Sequence, residues 1–200
     1  MMRIAITGSI ACGKSTVTSY LIEEKKYKVL DADKIGHELL EREEIKKRLE
    51  KEFSNNIITD DNIDRKKLGA IVFSDGKKLA KLNSIMHPEI RIEILNQAEQ
   101  SADKFIFIDM ALLFEAKFDD LVDKIIVVHI DKETQLERLM KRNNFSKEEA
   151  LQRIDSQMSS LEKSKLADFI VDNSGSIDAT FKQIDNILNI LKGEVDGIKN

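Results

Sequence analysis

Apolar positions along the chain fall into short unbroken runs separated by long stretches with helical spacing. The runs at Arg3–Thr7, Lys28–Leu30, Phe105–Ile108, Ile125–Ile130 and Phe169–Val171 predict five strands. Runs that are continuous rather than alternating suit strands covered on both faces. Strands alternating with helices argue for a parallel, doubly wound α/β sheet. Several strands end in an acid: Asp31, Asp109, Asp131 and Asp172. Ligands of open α/β sheets bind at the carboxyl ends of strands, so these ends are where chemistry is expected.

The helical stretches differ in character. "GKSTVTSYLIEEK" follows the first loop directly, and "ELLEREEIKKRLEKEF" is highly charged, with spacings that suit solvent-facing ion pairs. A long helical insert with no strand is expected from Asp64 to Ala102. "KETQLERLMKRNNFSKEEALQRI" predicts a helix, a break near Asn143–Asn144 and a restart, with "SKEE" as a capping box. The last helix is expected from about Ile177 to Lys192, with residues 193–200 as a frayed tail. The sole proline, Pro88, biases His87 toward extended backbone.

Hydrophobic residues make up 42% of the 200 and charged residues 34%, enough apolar material for a core. The net charge of −4 lacks the basic surplus of a nucleic-acid binder, so no nucleic-acid partner is expected. A single cysteine, Cys12, forms no internal disulfide and suits a reducing cytosol. The start "MMRIAITGS" reads as a strand rather than a signal peptide, and no run reaches the roughly 18 apolar residues of a membrane span. A cytoplasmic location with no membrane partner follows as an expectation. The surface helices carry no decisive interface stripe, which suits a monomer or weak homo-oligomer.

"GSIACGKS" at 8–15 fits G-x-x-x-x-G-K-[ST] between a strand and a helix, the context that motif requires. Gly8 and Gly13 let the backbone bend, and successive N–H groups from Ala11 to Thr16 form an anion nest at a helix start. Lys14 reaches the β- and γ-phosphates, and the Ser15 hydroxyl offers a ligand to Mg²⁺. Cys12 is expected to act through its backbone N–H, since nothing marks an activated thiol. The loop implies ATP without naming an acceptor. A GTPase would carry N-K-x-D, which is absent, and a motor would be longer. A small-molecule kinase fits best.

In "VLDADKIGHELL" a strand ends at Asp31-Ala32-Asp33 and a helix follows. One carboxylate there can take a proton from an acceptor hydroxyl; either can instead cap the helix. Asp109 closes an apolar strand as a Walker B acid does, a position that binds Mg²⁺ directly or through water. Arg138 and Arg142, four apart, share a helix face and suit a lid over phosphates, with Arg153 a further candidate. His37 and His129 read as structural.

"TGSIACGKST", "VLDADKIGHEL", "IDRKKLGAIVFSD", "MHPEIR", "IDMALLFEA", "QLERLMKRN", "ALQRIDSQM" and "KSKLADFIVDNSG" occur in that order. Together they resemble the dephospho-CoA kinase family over nearly the whole chain. The resemblance implies ATP-dependent phosphorylation of the ribose 3′-hydroxyl of dephospho-CoA, with MgATP as the phosphoryl donor. It implies Asp33 as the base, with Lys14 and Arg142 also catalytic. It implies Thr7, Arg65, His87, Arg91 and Asp109 at the acceptor, beside an apolar wall of Leu112, Leu113 and Phe114. It implies Arg138 and Arg142 in the lid, Asn173 and Gly175 near adenine, and a P-loop kinase fold of strand order 2-3-1-4-5. The organisation it implies is a core of 1–33, 104–135 and 161–192, an acceptor-binding insert of 34–103 and a lid of 136–160. Three places depart from the family pattern: Ser9, Ala11 and Cys12 in a loop that is usually Gly-Gly-Ile-Gly-Ser-Gly; Met110-Ala111 where Val-Pro is typical; and Ser159-Ser160 where proline and arginine are frequent.

Overall fold

The computed structural model describes residues 1–197. In chain order the elements are β1 (Met2–Thr7), α1 (Lys14–Glu23), β2 (Val29–Asp31), α2 (Ala32–Leu39), α3 (Glu43–Phe53), β3 (Ile58–Thr59), β4 (Asn62–Ile63), α4 (Arg65–Phe73), α5 (Gly76–Glu99), β5 (Phe105–Asp109), β6 (Lys124–His129), α6 (Lys132–Asn143), α7 (Lys147–Asp155), α8 (Ser160–Ser164), β7 (Phe169–Asp172) and α9 (Ile177–Gly197). The chain divides into two compact units: Met1–Leu30 with the chain from Ser101 onward, and Asp31–Gln100.

The first unit is built on a five-stranded sheet of order β2-β5-β1-β6-β7. With the small β3–β4 pair set aside, this is the expected order 2-3-1-4-5. The pairings of β1 with β5 and β6, and of β6 with β7, are parallel. The inner strands are apolar on both faces because helices cover both. Ile4, Ile6, Phe107, Ile126 and Val128 join Val17 and Leu21 of α1 and Ile184, Ile187, Leu188 and Leu191 of α9 in one core. The register opposes Ile6 to Asp109, so the end of β5 lies beside the loop that leaves β1. A smaller core of Leu139, Ala150 and Ile154 joins α6 to α7, with Ile10 and Ala11 packed against it. The helix break falls at Asn144, in the left-handed region, and Ser146 and Glu149 form the expected capping box.

In the second unit α5 packs against α2, α3 and α4. The charged stretch is two helices rather than one, because the chain turns at Leu40–Arg42 and Arg42 enters α3 with extended backbone. Its basic residues pair mainly across to α5: Arg42 with Glu93 and Arg48 with Glu89. An antiparallel pair, β3 with β4, adds strands where none was expected. Pro88 lies inside α5, so His87 is helical and not extended. Buried Ile85, Met86, Ile94 and Ala98 on either side of the proline offset the lost backbone bond. The last helix also runs past Lys192 to Gly197. Val195 packs on the core while Glu194 pairs with Lys124 and Asp196 with Lys104, so residues 193–197 are anchored rather than frayed. The rest of that expectation, residues 198–200, lies outside the described residues.

Candidate active site

The loop from β1 to α1 is held open by its glycines. Gly13 caps α1 with φ 86°, a left-handed conformation that costs other residues. A Cβ at Gly8 would come within 2.5 Å of Cys12 Sγ and 2.7 Å of the Val128 carbonyl oxygen. Ala11 also has positive φ, at 59°. The N–H groups of Ala11, Gly13 and Ser15 have no hydrogen-bond acceptor among the described residues. Donors left unsatisfied at the start of a ten-residue helix form an anion site. The Cys12 N–H, expected to serve the phosphate, instead donates to the Ser9 carbonyl at 3.2 Å. Its thiol is buried, and burial pushes it above the ordinary thiol value, as suits an inert packing group.

Lys14 reaches back across the loop to an ion pair with Asp109, and both side chains are largely buried. The β1–β5 register makes this contact possible. Arg138 of α6 brings Nη1 within 3.8 Å of the position a Gly13 Cβ would occupy. Arg142 is exposed and turns Nε to Asn143 Oδ1 at 2.9 Å. Asn173 is buried: its amide donates to the Cys12 carbonyl at 2.8 Å, and its oxygen accepts from Thr180 Oγ1 at 2.8 Å. It therefore braces the loop from below. Gly175 is exposed, with open space where a Cβ would stand.

Two glutamines not singled out in the sequence fix the loop, one from α6 and one from the segment after α7. Buried Gln135 donates Nε2 to Ser9 Oγ at 3.0 Å and to the Ile10 carbonyl at 2.8 Å. Gln157 accepts from the Ile10 N–H at 3.1 Å. A polar residue on the inward face of an amphipathic helix is the signal that marks Gln135; nothing local marks Gln157.

Thr7 is fully buried and donates Oγ1 to the Ala111 carbonyl at 3.1 Å, so it supports the turn after Asp109 and is not open to an acceptor. In that turn Leu113 is only 1% exposed and belongs to the core. Of the other two residues of the expected apolar wall, Leu112 is exposed and Phe114 half-buried. Lys163, also missed in the sequence, is completely buried and donates to the Ala111 carbonyl at 2.6 Å and to Glu115. The departures from the family pattern are accommodated locally. Ala111 contributes a carbonyl, which any residue supplies. Ser159 caps α8 in a capping box, and Ser160 accepts from the Ile130 N–H at 3.2 Å and bonds His129 Nδ1 at 3.0 Å.

In the second unit the capping role belongs to Asp31, whose carboxylate accepts from the Lys34 N–H at 2.9 Å. Asp33, in the first turn of α2, is exposed, and its carboxylate has no bonded partner among the described residues. Arg65 opens α4 behind its Asp64 cap and lines a cavity of about 680 Å³ with His37, Leu40, Leu68, Val72 and Phe73. His87 and Arg91 are one turn apart on α5. Partial burial, then the Arg91 guanidinium, holds the His87 imidazole below its ordinary value and favours the neutral ring.

The family model described as CoaE, dephospho-CoA kinase, matches residues 2–179. The chain belongs to the dephospho-CoA kinase family. A relative in the family, the dephospho-CoA kinase of Carboxydothermus hydrogenoformans, is 48% identical over 190 residues, covering 92% of this chain and 92% of its own. That of Oceanobacillus iheyensis is 45% identical over 190 residues, covering 92% and 95%. The solved dephospho-CoA kinase from Campylobacter jejuni superposes with a TM-score of 0.72 at 38% identity, covering 96% of this chain and 98% of its own. The chain is thus a kinase of the P-loop class.

Proposed function

We propose that this chain transfers the γ-phosphoryl of ATP to the ribose 3′-hydroxyl of dephospho-CoA, giving CoA and ADP, the last step of coenzyme A synthesis. The family match across residues 2–179 carries this reading. The open N–H groups of Ala11, Gly13 and Ser15 beside Lys14 and Asp109 support it chemically.

The loop N–H groups receive phosphate oxygens. Lys14 turns from Asp109 to the β- and γ-phosphates, and the Asp109 carboxylate and the Ser15 hydroxyl would hold Mg²⁺. A carboxylate and a hydroxyl, both oxygen donors, would suit this hard cation. When bound, Mg²⁺ neutralises charge on the transferring phosphoryl group. Asp33 orients the 3′-hydroxyl and accepts its proton, a task for which its unpartnered carboxylate is suited. Arg138 and Arg142 stabilise phosphate charge and exclude water, the competing acceptor. Arg65, His87 and Arg91 hold the acceptor, with the neutral His87 ring as a hydrogen-bonding group. Leu112 and Phe114 face its apolar arm. Asn173 serves the nucleotide by holding the loop that binds it, and Gly175 lies near the adenine edge.

The test is ADP release by the purified protein with MgATP and a panel of acceptors: dephospho-CoA, adenosine, AMP, CMP, dTMP and shikimate. Strong stimulation by dephospho-CoA alone, with CoA as product, is expected. Stimulation by a nucleoside or nucleotide would move the acceptor pocket. ATP binding without stimulation by any acceptor would make the chain a nucleotide-dependent switch.

A further inference from the structure

The turn after Asp109 is tied down by a side chain from a distant part of the sequence. Lys163, on α8, has a side-chain exposure of 0% and places Nζ 2.6 Å from the Ala111 carbonyl and 3.0 Å from Glu115 Oε1. The same carbonyl accepts from Thr7 Oγ1 at 3.1 Å, at the end of β1. Glu115 Oε1 also accepts from the Met158 N–H at 3.2 Å. Next to Met158, Gln157 holds the Ile10 N–H of the loop. One buried ammonium thus joins the end of β1, the turn that follows Asp109 and the base of the lid.

A fully buried lysine is costly unless it is paired and hydrogen-bonded, and here both conditions hold. Packing alone would be met more simply by an apolar residue of similar volume. What the ammonium adds is direction: it holds one carbonyl two residues beyond Asp109 and one carboxylate at the lid base. Its charge is also felt at the loop, where Lys163, after Lys14, acts to lower the Cys12 thiol against the larger upward effect of burial.

We infer that Lys163 is a positioning residue for phosphoryl transfer, fixing Asp109 and the lid base through Ala111 and Glu115. This rests on the phosphoryl-transfer reading above. It extends that reading to a residue that touches neither nucleotide nor acceptor in the proposed mechanism.

The experiment compares Lys163→Met, Glu115→Gln and the double variant with the unaltered chain. It measures kcat, KM for ATP and the Mg²⁺ concentration for half-maximal rate, with thermal melting as the folding control. Methionine fills the site, and Glu115, partly exposed, is able to regain water, so a folded protein is expected. Misplacing catalytic groups by about 1 Å costs about a hundredfold, and kcat of Lys163→Met should fall by about that factor. KM for ATP should hold, while the half-saturating Mg²⁺ concentration should rise several-fold as Asp109 loses its placement. Glu115→Gln should show the same pattern more weakly. The double variant should be no worse than Lys163→Met, because both act through one contact. A lower kcat with unchanged Mg²⁺ dependence would reduce Lys163 to a packing residue, as would additive losses in the double variant. If Lys163→Met does not fold, Glu115→Gln alone decides: an unchanged Mg²⁺ dependence overturns the inference. An unaltered chain that transfers nothing to dephospho-CoA would overturn the functional reading instead.

Discussion

Replacing Gly13 by alanine should abolish MgATP binding and lower the melting temperature together. Gly13 has φ 86°, and a Cβ there would lie far inside van der Waals contact with Asn173 Nδ2. That amide cannot yield easily, since Asn173 is buried between the Cys12 carbonyl and Thr180. A left-handed alanine costs about 1–2 kcal/mol, and a displaced buried amide about 1–3 kcal/mol. Each kcal/mol lowers the melting temperature of a chain this size by about 2–4 °C, so a drop of roughly 5–15 °C is expected. The check is melting with and without MgATP. The unaltered chain should gain stability from the nucleotide by mass action, and Gly13→Ala should gain none. Gly76→Ala, at the start of α5, is the control: its added Cβ meets open space, and stability should change by no more than about 0.5 kcal/mol. A Gly13→Ala chain that still gains stability from MgATP would show that Asn173 does not constrain the loop.

The sheet was legible because its inner strands are buried on both faces and so appear as unbroken apolar runs. Their order came from the family resemblance, and the observed pairings agree with it. What escaped the sequence depended on contacts rather than pattern. The β3–β4 turn uses Asp60 and Asp61 at positive φ, 49° and 61°, without the glycine that usually announces such a hairpin. Pro88 usually ends a helix, yet buried neighbours on both sides carry α5 through it. The last helix extends past Lys192 because Val195 packs on the core, and Lys104 and Lys124, about 70 or more residues earlier in sequence, pair with its final turns. No local window contains that information.

The candidate site divides in the same way. The loop and Asp109 follow from a motif and a strand end, so their juxtaposition is a consequence of register. The supports of the loop and of the turn after Asp109 are long-range: Gln135, Gln157, Asn173 and Lys163 are separated from the groups they hold by 52 to 161 residues. Spacing arguments reach one helix turn, and these contacts lie far beyond it. The same distance explains why Thr7 and Leu113, adjacent to functional positions in sequence, turn out to be interior.

Asp33→Asn should separate catalysis from folding. The carboxylate of Asp33 is exposed and without a bonded partner among the described residues, so stability should change by no more than about 0.5 kcal/mol. MgATP affinity, which the reading assigns to Lys14 and the loop, should be kept. Turnover with dephospho-CoA should fall by about 10²–10⁴, the range for a lost general base. Asp31→Ala is the complementary variant. Asp31 caps α2 through the Lys34 N–H, and losing that cap costs about 0.5–2 kcal/mol while leaving the proton acceptor in place. Melting and steady-state rates of both variants give a crossed pattern if the assignment is right: rate without stability for Asp33, stability with little loss of rate for Asp31. Unchanged turnover in Asp33→Asn would remove Asp33 from the mechanism. Equal loss of turnover in both variants would assign the effect to the geometry of the β2–α2 turn, because a base and a cap share no other property that both substitutions destroy.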